Sequence, residues 1–315
     1  MTHFADRLCA AVRERRSVAC IGIDPVVENL PPALAAEADK SIGNLGDTLV
    51  KFGIGIVDAV SHLVPAIKPN IGFFEAYGLS GLSAYLGICS YARSRGLLVI
   101  GDVKRGDIGP TAAAYAKGLL AHEESADNPY RPSQLKLGPH DAITLNPYLG
   151  ADALEPFLAA GCKNGQGFFI LVKTSNPSSA DIQDLVLQDG GTVAEKVARL
   201  VDRLGRAELG ACGLSAVGAV VGAMHNREMA RLRQLMPAAP FLLPGYGAQG
   251  GTAADIVDAF RPDATGALVN ASRSVIFAWQ KENRPDDWQG AARRAAERMN
   301  AELRSALQAA GKWPW

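Results

Sequence analysis

The chain has no excess of charge of either sign. Its 315 residues include 32 Lys plus Arg and 32 Asp plus Glu, so the formal net charge at pH 7 is zero. Proteins that bind nucleic acids or anionic membranes normally carry a basic excess. The balance therefore argues against a nucleic-acid or membrane partner. Any anionic ligand must be held by charges that are placed locally.

The chain also lacks cysteines that are spaced for a metal or redox site. Cys9, Cys20, Cys89, Cys162 and Cys212 are scattered and odd in number, and no two of them form a CxxC pair. This spacing excludes the common zinc and dithiol motifs and indicates free thiols in a reducing compartment. The first residues mix arginines and acids and lack the apolar core of a signal peptide. We therefore expect a cytoplasmic protein.

Two further motifs are missing. The uncharged run from Leu209 to Met224 is shorter than the roughly 20 residues that a membrane helix needs, and it is typical of a buried strand with its flanking turns. No GxGxxG follows the first predicted strand, which disfavours a dinucleotide-binding open sheet. The 48% hydrophobic content is still enough to bury a large core.

Eight short apolar runs alternate with helical patterns along the chain. Their nearly continuous apolar character is typical of parallel strands that are covered by helices. Eight such units predict an α/β fold, a (β/α)8 TIM barrel with a single domain over residues 1–315; a doubly wound sheet is the alternative. The predicted strands are residues 18–23, 66–69, 97–103, 142–145, 168–172, 216–221, 241–243 and 267–270. The predicted helices are residues 45–63, 72–94, 110–120, 151–160, 181–204, 226–235 and 253–260, with a long surface loop at 123–139 and a C-terminal packing helix at about 286–310.

The most informative stretch is GDVKRGDIGP at residues 101–110, where the third predicted strand ends. Side chains alternate between the faces of a strand, so Asp102 and Lys104 are predicted to lie side by side on one face. Asp107 comes just after the strand, where Gly106 and Gly109 permit a sharp turn. Catalytic groups of parallel α/β folds collect at this strand-to-helix edge.

Polar residues also follow most of the other predicted strands. Each alone is explained by a turn or a helix cap, but together they predict a polar, charged mouth at one end of a barrel. The segments, in chain order, are Asp24-Pro25, Lys68-Pro69-Asn70, Asp102 with Lys104, Asn146-Pro147, Lys173-Thr174-Ser175, the PGYGAQGG segment at 244–251, and Asn270-Ala271-Ser272-Arg273.

The PGYGAQGG segment and Arg273 predict a phosphate site. Four glycines between residues 245 and 251 let the backbone approach an anion closely, and Arg273 follows the next strand. Barrels of this type commonly bind phosphate after strands seven and eight, through backbone N–H groups, a helix N-terminus and a cation. A guanidinium binds a phosphate through paired hydrogen bonds.

These residues together resemble the orotidine 5'-phosphate decarboxylase family, over most of the chain. The motifs that carry the resemblance are Ile23-Asp24-Pro25, Lys68, the DVKRGDI segment at 102–108 with Thr111, the glycine-rich segment and Arg273. DxKxxD alone also occurs in related sugar-phosphate barrels, but its combination with Lys68 and PGYGAQGG is specific. The length, Lys68-Pro69-Asn70 and the KTSNP segment at 173–177 look like the longer, second bacterial type.

The resemblance implies decarboxylation of orotidine 5'-monophosphate to UMP and CO2, the last step of de novo pyrimidine synthesis, with no metal and no organic cofactor. It implies a catalytic array of Lys68, Asp102, Lys104 and Asp107, in a homodimer whose active sites are shared, with Asp107, Ile108 and Thr111 given by the neighbouring subunit. For substrate binding it implies that Asp24 and Lys68 contact the ribose hydroxyls and that Ser175 contacts the pyrimidine. It implies that Pro244 and Gln249 bind from the glycine-rich segment, where Gln249 bridges base and phosphate. It also implies that Arg273 binds the phosphate.

The array suits this reaction physically. Loss of CO2 leaves a carbanion on a ring carbon without a conventional electron sink, so a fixed cation is needed where the charge develops. Lys104 can supply that cation and then the proton. The alternative is a magnesium-dependent sugar-phosphate decarboxylase or aldolase of the same superfamily. Those proteins look to place a metal-binding carboxylate where this chain has Lys68, and an ammonium cannot bind a metal. A non-catalytic barrel would leave the charged mouth without a purpose.

Overall fold

Eight parallel strands form the centre of the fold. The computed structural model describes residues 2–120, 140–188, 190–224, 226–247 and 251–315. In these residues the strands close into a barrel in chain order, and the last strand pairs with the first. They are β1 (Ala19–Ile23), β2 (Ala66–Pro69), β3 (Leu98–Arg105), β4 (Ala142–Leu145), β5 (Gly167–Lys173), β6 (Val217–Val221), β7 (Phe241–Leu243) and β8 (Ala267–Ala271). The predicted TIM barrel is confirmed, and each predicted strand end lies within two residues of the observed one.

Helices alternate with the strands and cover the outer face of the sheet. Their apolar sides bury against the strands, so both faces of the sheet are excluded from water, as parallel sheets require. The described α-helices are α1 (Phe4–Arg15), α2 (Pro32–Ala38), α3 (Ile42–Val60), α4 (Gly72–Glu75), α5 (Gly78–Ser94), α6 (Gly109–Leu119), α7 (Glu155–Gly161), α8 (Ala180–Gln183), α9 (Val193–Gly205), α10 (Asn226–Leu235), α11 (Arg273–Ile276), α12 (Ala278–Glu282) and α13 (Trp288–Ala309). In the described parts of the chain, no helix is long and apolar enough to cross a membrane.

Three predicted helices differ from the observed ones. The helix predicted at 72–94 is divided into α4 and α5 because Gly78 adopts a φ of +62°. The helix predicted at 181–204 is divided into α8 and α9, and the connection contains Gly190 and Gly191 with φ of +78° and +81°. The helix predicted at 253–260 is wrong, since only a short 3-10 turn forms there, Val257–Ala259. The loop predicted at 123–139 lies outside the described residues.

The ends of the chain pack on the barrel in different ways. α1, which the sequence patterns did not predict, closes the end where the strands begin. Phe4 packs edge-on against Phe169 with ring centroids 6.0 Å apart, and a side chain at Gly167 would collide with the Phe4 ring. α13 lies outside the barrel against α3, where Trp288 stacks on Phe52 at 5.2 Å. The opposite end of the barrel, where the strands finish, is left open.

Candidate active site

A cavity of about 800 Å³ opens at the carboxyl ends of the strands. Of the residues predicted for the site, Lys68, Asp102, Lys104, Ser175 and Pro244 line it. The other lining residues include polar groups from the β4 and β5 ends and both apolar and polar groups from the segment after β5, namely Thr144, Asn146, Thr174, Asn176, Ile182, Gln183 and Val193. The cavity is therefore charged on its β2–β3 wall and mixed in character on its β4–β5 wall.

One carboxylate is shared between two ammonium groups on the charged wall. Lys68 Nζ donates to Asp102 Oδ2 at 2.6 Å, and Lys104 Nζ donates to Asp102 Oδ1 at 2.6 Å. Thr144 Oγ1 also donates to Asp102 Oδ1, at 2.9 Å. Lys68 and Asp102 are buried, whereas the Lys104 side chain is 47% exposed. Lys104 is thus the member of the array that faces the open cavity.

The backbone at the end of β3 is irregular. The pairing of β3 with β4 shifts register between Gly101 and Arg105, and Lys104 adopts a φ of +45°. A residue with a side chain is disfavoured in this left-handed region by about 1–2 kcal/mol, so the surroundings must hold it there. The Lys104 N–H donates to Thr144 Oγ1 at 2.9 Å. Asp102 and Lys104 are neighbours as predicted, but a bulge rather than plain strand alternation brings their charges together.

The charges in the array stabilise one another. Burial by itself would lower the pKa of Lys68, but the negative charges of Asp102 and Asp24 raise it above its ordinary value. Burial would likewise raise the pKa of Asp102, but the charges and hydrogen bonds of Lys68 and Lys104 hold it below its ordinary range. Lys68 is therefore an ammonium and Asp102 a carboxylate at neutral pH.

Three further predicted substrate-binding residues follow β1, β7 and β8, and of these Asp24 and Arg273 are not among the residues that line the cavity. Asp24 follows β1, and its Oδ1 atom is buried without a hydrogen-bond partner among the described residues. Arg273 is exposed as the first residue of α11. Gln249 lies outside the described residues. The chain on either side of it turns back on itself, since the Gly247 N–H donates to the Gly251 carbonyl oxygen at 3.0 Å.

Asp107, Ile108 and Thr111 do not line the cavity of their own chain. The Ile108 N–H donates to Asp107 Oδ1 at 2.8 Å, and Ile108 is 55% exposed. Thr111 is exposed near the start of α6. Exposed Tyr148, after β4, adds to the apolar surface around the mouth. The structure brings together Lys68, Asp102 and Lys104, but it places Asp107 outside that cluster.

Sequence reasoning missed two contributions to the site. Thr144 bonds both Asp102 and the Lys104 backbone, and the signal for it was a lone hydroxyl within the apolar run of β4. Gln183 exchanges hydrogen bonds with Thr174: its Oε1 accepts from the Thr174 N–H at 2.9 Å and its Nε2 donates to Thr174 Oγ1 at 2.8 Å. Buried Lys173 is paired with Asp184. No sequence signal marked these contacts between the end of β5 and α8, because residues 181–204 were predicted as one long helix.

Potential metal ligands are not clustered in the described chain. No group of three or more His, Cys, Asp or Glu side chains with metal-binding geometry occurs in the residues that the structure describes. Beside Asp102, the Lys68 ammonium has no lone pair with which to bind a cation.

Comparisons with known proteins agree on the family. Residues 53–284 match the model of the "Orotidine 5'-phosphate decarboxylase / HUMPS family". The orotidine 5'-phosphate decarboxylase of Rhodopirellula baltica is 41% identical over 96% of this chain and 100% of its own length, and that of Deinococcus radiodurans is 39% identical over 96% and 98%. The crystal structure of a putative orotidine 5'-phosphate decarboxylase from Streptomyces avermitilis superposes with a TM-score of 0.76 at 32% identity, covering 98% of this chain and 97% of that one. The chain therefore belongs to the orotidine 5'-phosphate decarboxylase / HUMPS family.

Proposed function

We propose that this chain converts orotidine 5'-monophosphate to UMP and CO2 in the cavity at the strand ends, without a metal or organic cofactor. The observation that carries the proposal is the Asp102 carboxylate held at 2.6 Å by both Lys68 and Lys104. Family membership and the names of the relatives favour this reaction over the magnesium-dependent alternative.

Lys104 supplies the charge and the proton that the reaction needs. When the bond between the ring carbon and the carboxylate breaks, its electron pair stays on the ring carbon and neutral CO2 leaves. An ammonium fixed beside that carbon stabilises the developing negative charge without having to reorganise. Lys104 Nζ then transfers a proton to the carbon, and the resulting amine takes up a proton from water. The 47% exposure of Lys104 leaves it open to both substrate and solvent.

Asp102 and Lys68 act on the starting state. A substrate carboxylate about 4 Å from Asp102 would be repelled by roughly 4 kcal/mol at an effective dielectric constant near 20. Departure of CO2 removes this repulsion, so the arrangement favours the forward step. Lys68 keeps Asp102 ionised and in place.

The other predicted residues bind the parts of the substrate that do not react. In this proposal, Asp24 and Lys68 contact the ribose hydroxyls and Ser175 contacts the pyrimidine, on the other side of the barrel. Pro244 and Gln249 belong to the segment around base and phosphate, and Arg273 holds the phosphate. Binding energy from these remote groups then positions the reacting carbon against Lys104.

We also propose that the protein is a cytoplasmic homodimer with shared active sites. In this arrangement, Asp107, Ile108 and Thr111 of each chain complete the array of the other. Their position outside their own cavity and the exposure of Ile108 and Tyr148 support this. A two-fold axis would make the two sites equivalent. The five cysteines are free thiols, which suits a reducing cytoplasm.

The function is tested by incubating the purified protein with orotidine 5'-monophosphate and measuring both UMP and CO2, with and without a chelator. We expect equal amounts of the two products and the same rate in both samples. Loss of activity with the chelator and its return with magnesium would favour the metal-dependent alternative. The absence of CO2 release would contradict the proposal altogether.

A further inference from the structure

Three buried polar atoms near the place where β8 closes the barrel against β1 have no hydrogen-bond partner among the described residues. They are Asn270 Oδ1, Ser272 Oγ and Asp24 Oδ1, which we call the β8–β1 edge. None of the three has a hydrogen-bond partner among the described residues, and Asn270 is only 5% exposed. Buried polar side-chain atoms are nearly always hydrogen-bonded, so three at one place indicate a site that a ligand completes.

The β8–β1 edge faces the inside of the barrel. Asn270 pairs in register with Cys20 on β1, and Gly22 pairs with Lys68 on β2, so Asn270, Gly22 and Lys68 belong to the same face. A Cβ on Gly22 would lie 3.1 Å from Asn270 Nδ2 and 2.7 Å from Ser272 Cβ. The absence of a side chain at Gly22 is what gives Asn270 and Ser272 their room.

The edge continues directly into the catalytic array. Strand order runs β8, β1, β2, β3, so Asn270 and Ser272 come next to Asp24, then Lys68, then Asp102. Asp24 is close enough to Lys68 to raise its pKa. In strand order, the edge therefore lies between the β2–β3 array and Arg273, which follows β8.

The unpartnered atoms call for hydrogen-bond donors. Asn270 Oδ1 and Asp24 Oδ1 are acceptors, and an ionised phosphate or carboxylate has no donor to offer them. The two sources of donors in the nucleotide are the base N–H and the ribose hydroxyls. Ser175, which we assign to the base, follows β5, and β5 lies opposite β1 in an eight-strand barrel. The ribose hydroxyls are the donors left for the edge.

We propose that Asn270 is a ribose-recognition residue, whose Oδ1 atom accepts a hydrogen bond from a ribose hydroxyl of the nucleotide. This inference rests on the proposed function and adds a residue to it. Asn270 and Asp24 then bind the ribose from neighbouring strands, and the hydroxyl of Ser272 lies between them and the phosphate group on Arg273.

Affinities for UMP, 2'-deoxy-UMP and 3'-deoxy-UMP test the inference in the wild type and in Asn270→Leu, which removes the amide at similar volume. We expect Asn270→Leu to weaken UMP roughly tenfold, the usual size for one hydrogen bond. One of the two deoxy analogues lacks the ribose hydroxyl that donates to Asn270. The wild type and Asn270→Leu should bind that analogue equally. Asn270→Asp keeps an acceptor and should retain discrimination against that analogue, which keeps the test valid if the leucine variant does not fold.

Gln166→Leu is the matched control. Gln166 is also a buried amide whose Oε1 atom has no partner among the described residues, but it precedes β5 at the closed end of the barrel. It should leave all three affinities unchanged. Equal weakening of all three ligands by Asn270→Leu, or no weakening of any, would overturn the inference. Orotidine 5'-monophosphate turnover by the wild type is measured on the same sample. Absence of turnover overturns the proposed function and this inference together. If turnover is present but Asn270→Leu weakens both deoxy analogues as much as UMP, only the inference is overturned.

Discussion

Two neighbouring parts of the barrel mouth differ in how their polar groups are satisfied. On β2 and β3, Lys68, Asp102 and Lys104 are bonded to one another at 2.6 Å. On β8 and β1, buried polar atoms of Asn270 and Asp24 have no partner among the described residues. The polar groups of β2 and β3 satisfy one another, whereas those at β8 and β1 are not satisfied by any described residue.

The difference matches the roles that we propose, with the chemistry on β2 and β3 and ligand recognition at β8 and β1. Groups that stabilise a transient charge are effective when they are already oriented, because no energy is then lost in reorganising them during the reaction. Groups that select a ligand gain most when the ligand itself satisfies them, because a molecule without the matching donor leaves them unpaired. Substitutions on the β2–β3 wall should therefore affect turnover, and substitutions on the β8–β1 side should affect binding.

The largest effect that we expect is the loss of turnover caused by the substitution Lys104→Ala. This change removes the cation and the proton donor but leaves the groups that bind ribose and phosphate. We expect turnover to fall about a thousandfold or more, roughly 4 kcal/mol in the barrier, with little change in UMP affinity.

Lys117→Ala is the control for Lys104→Ala, since Lys117 is an exposed lysine on α6. It should leave turnover at the wild-type level. Turnover of Lys104→Ala within about tenfold of the wild type would exclude Lys104 as the proton donor.

A second prediction concerns the pH dependence of stability, which we attribute to His140, a buried residue that packs against β3. His140 packs beneath Gly101, where its Nδ1–H donates to the Leu119 carbonyl at 2.8 Å and its Nε2 accepts from the Tyr85 hydroxyl at 2.7 Å. Burial lowers the pKa of His140 to about 4. The folded protein therefore binds this proton more weakly than the unfolded chain does. The stabilisation is complete above about pH 6.5 and is lost as the pH falls towards 4, by up to about 3 kcal/mol.

Denaturant unfolding at pH 7.5 and pH 4.5 checks this prediction. In His140→Gln, which stays neutral, the difference in unfolding free energy between the two pH values should shrink by that amount. An equally large difference in the variant would show that other groups cause the pH dependence. The charges of Lys68 and Asp102 should stay fixed between the two pH values, since the pKa of each is shifted away from this range.

Gly22→Ala should disturb the β8–β1 side while leaving the array intact. The new methyl group would lie 2.7 Å from Ser272 Cβ and 3.1 Å from Asn270 Nδ2, so Ser272 and Asn270 must move. Overpacking of this kind costs about 1–3 kcal/mol in unfolding free energy. We also expect weaker UMP binding with a smaller loss of turnover at saturating substrate.

Gly87→Ala is the matched control for the change at Gly22. Gly87 lies on α5, where a Cβ would meet only Val50 Cγ2 at 4.0 Å. Alanine is the better helix former, so this variant should be as stable as the wild type or slightly more stable. If Gly22→Ala behaved like Gly87→Ala, the close approach at the β8–β1 edge would have no functional meaning.

The smallest of these effects is expected at Arg273, the exposed residue that we propose binds the phosphate. Arg273→Ala should weaken UMP roughly tenfold and uridine hardly at all, because uridine offers no dianion to the guanidinium. Calorimetric titration with both ligands measures the difference. Equal weakening of UMP and uridine would place Arg273 away from the phosphate.

The fold could be predicted from the sequence because strands of a covered parallel sheet are largely apolar, and each of the eight contains such an apolar run. Helix breaks were harder to predict. Gly78 lies within an otherwise helical pattern, and only the observed φ of +62° shows that one helix ends before it. Propensity is a weak signal when a single glycine decides between a continuous and a broken helix.

The closeness of Asp102 and Lys104 was predictable from the sequence, but the geometry that brings them together was not. Asp102 and Lys104 stood out because residues two apart on a strand share a face, which predicted a carboxylate beside an ammonium. The left-handed conformation of Lys104 and its support from Thr144 depend on the pairing of β3 with β4, which no local pattern encodes. Asn270 was visible as a polar strand end, but its unpartnered oxygen depends on its neighbours on β1 and at Ser272.

The central claim is that the β2–β3 array carries out the chemistry and that Asp107 of the partner subunit completes it. Subunit exchange between Lys104→Ala and Asp107→Ala, each of which we expect to be inactive alone, tests this most directly. In a hybrid dimer one site receives both defects, and the other has an intact Lys104 and an intact Asp107. We predict that decarboxylation returns on mixing and approaches half the wild-type rate per hybrid dimer. If a label on one variant shows that exchange has occurred and no activity returns, Asp107 does not complete the site of the other chain.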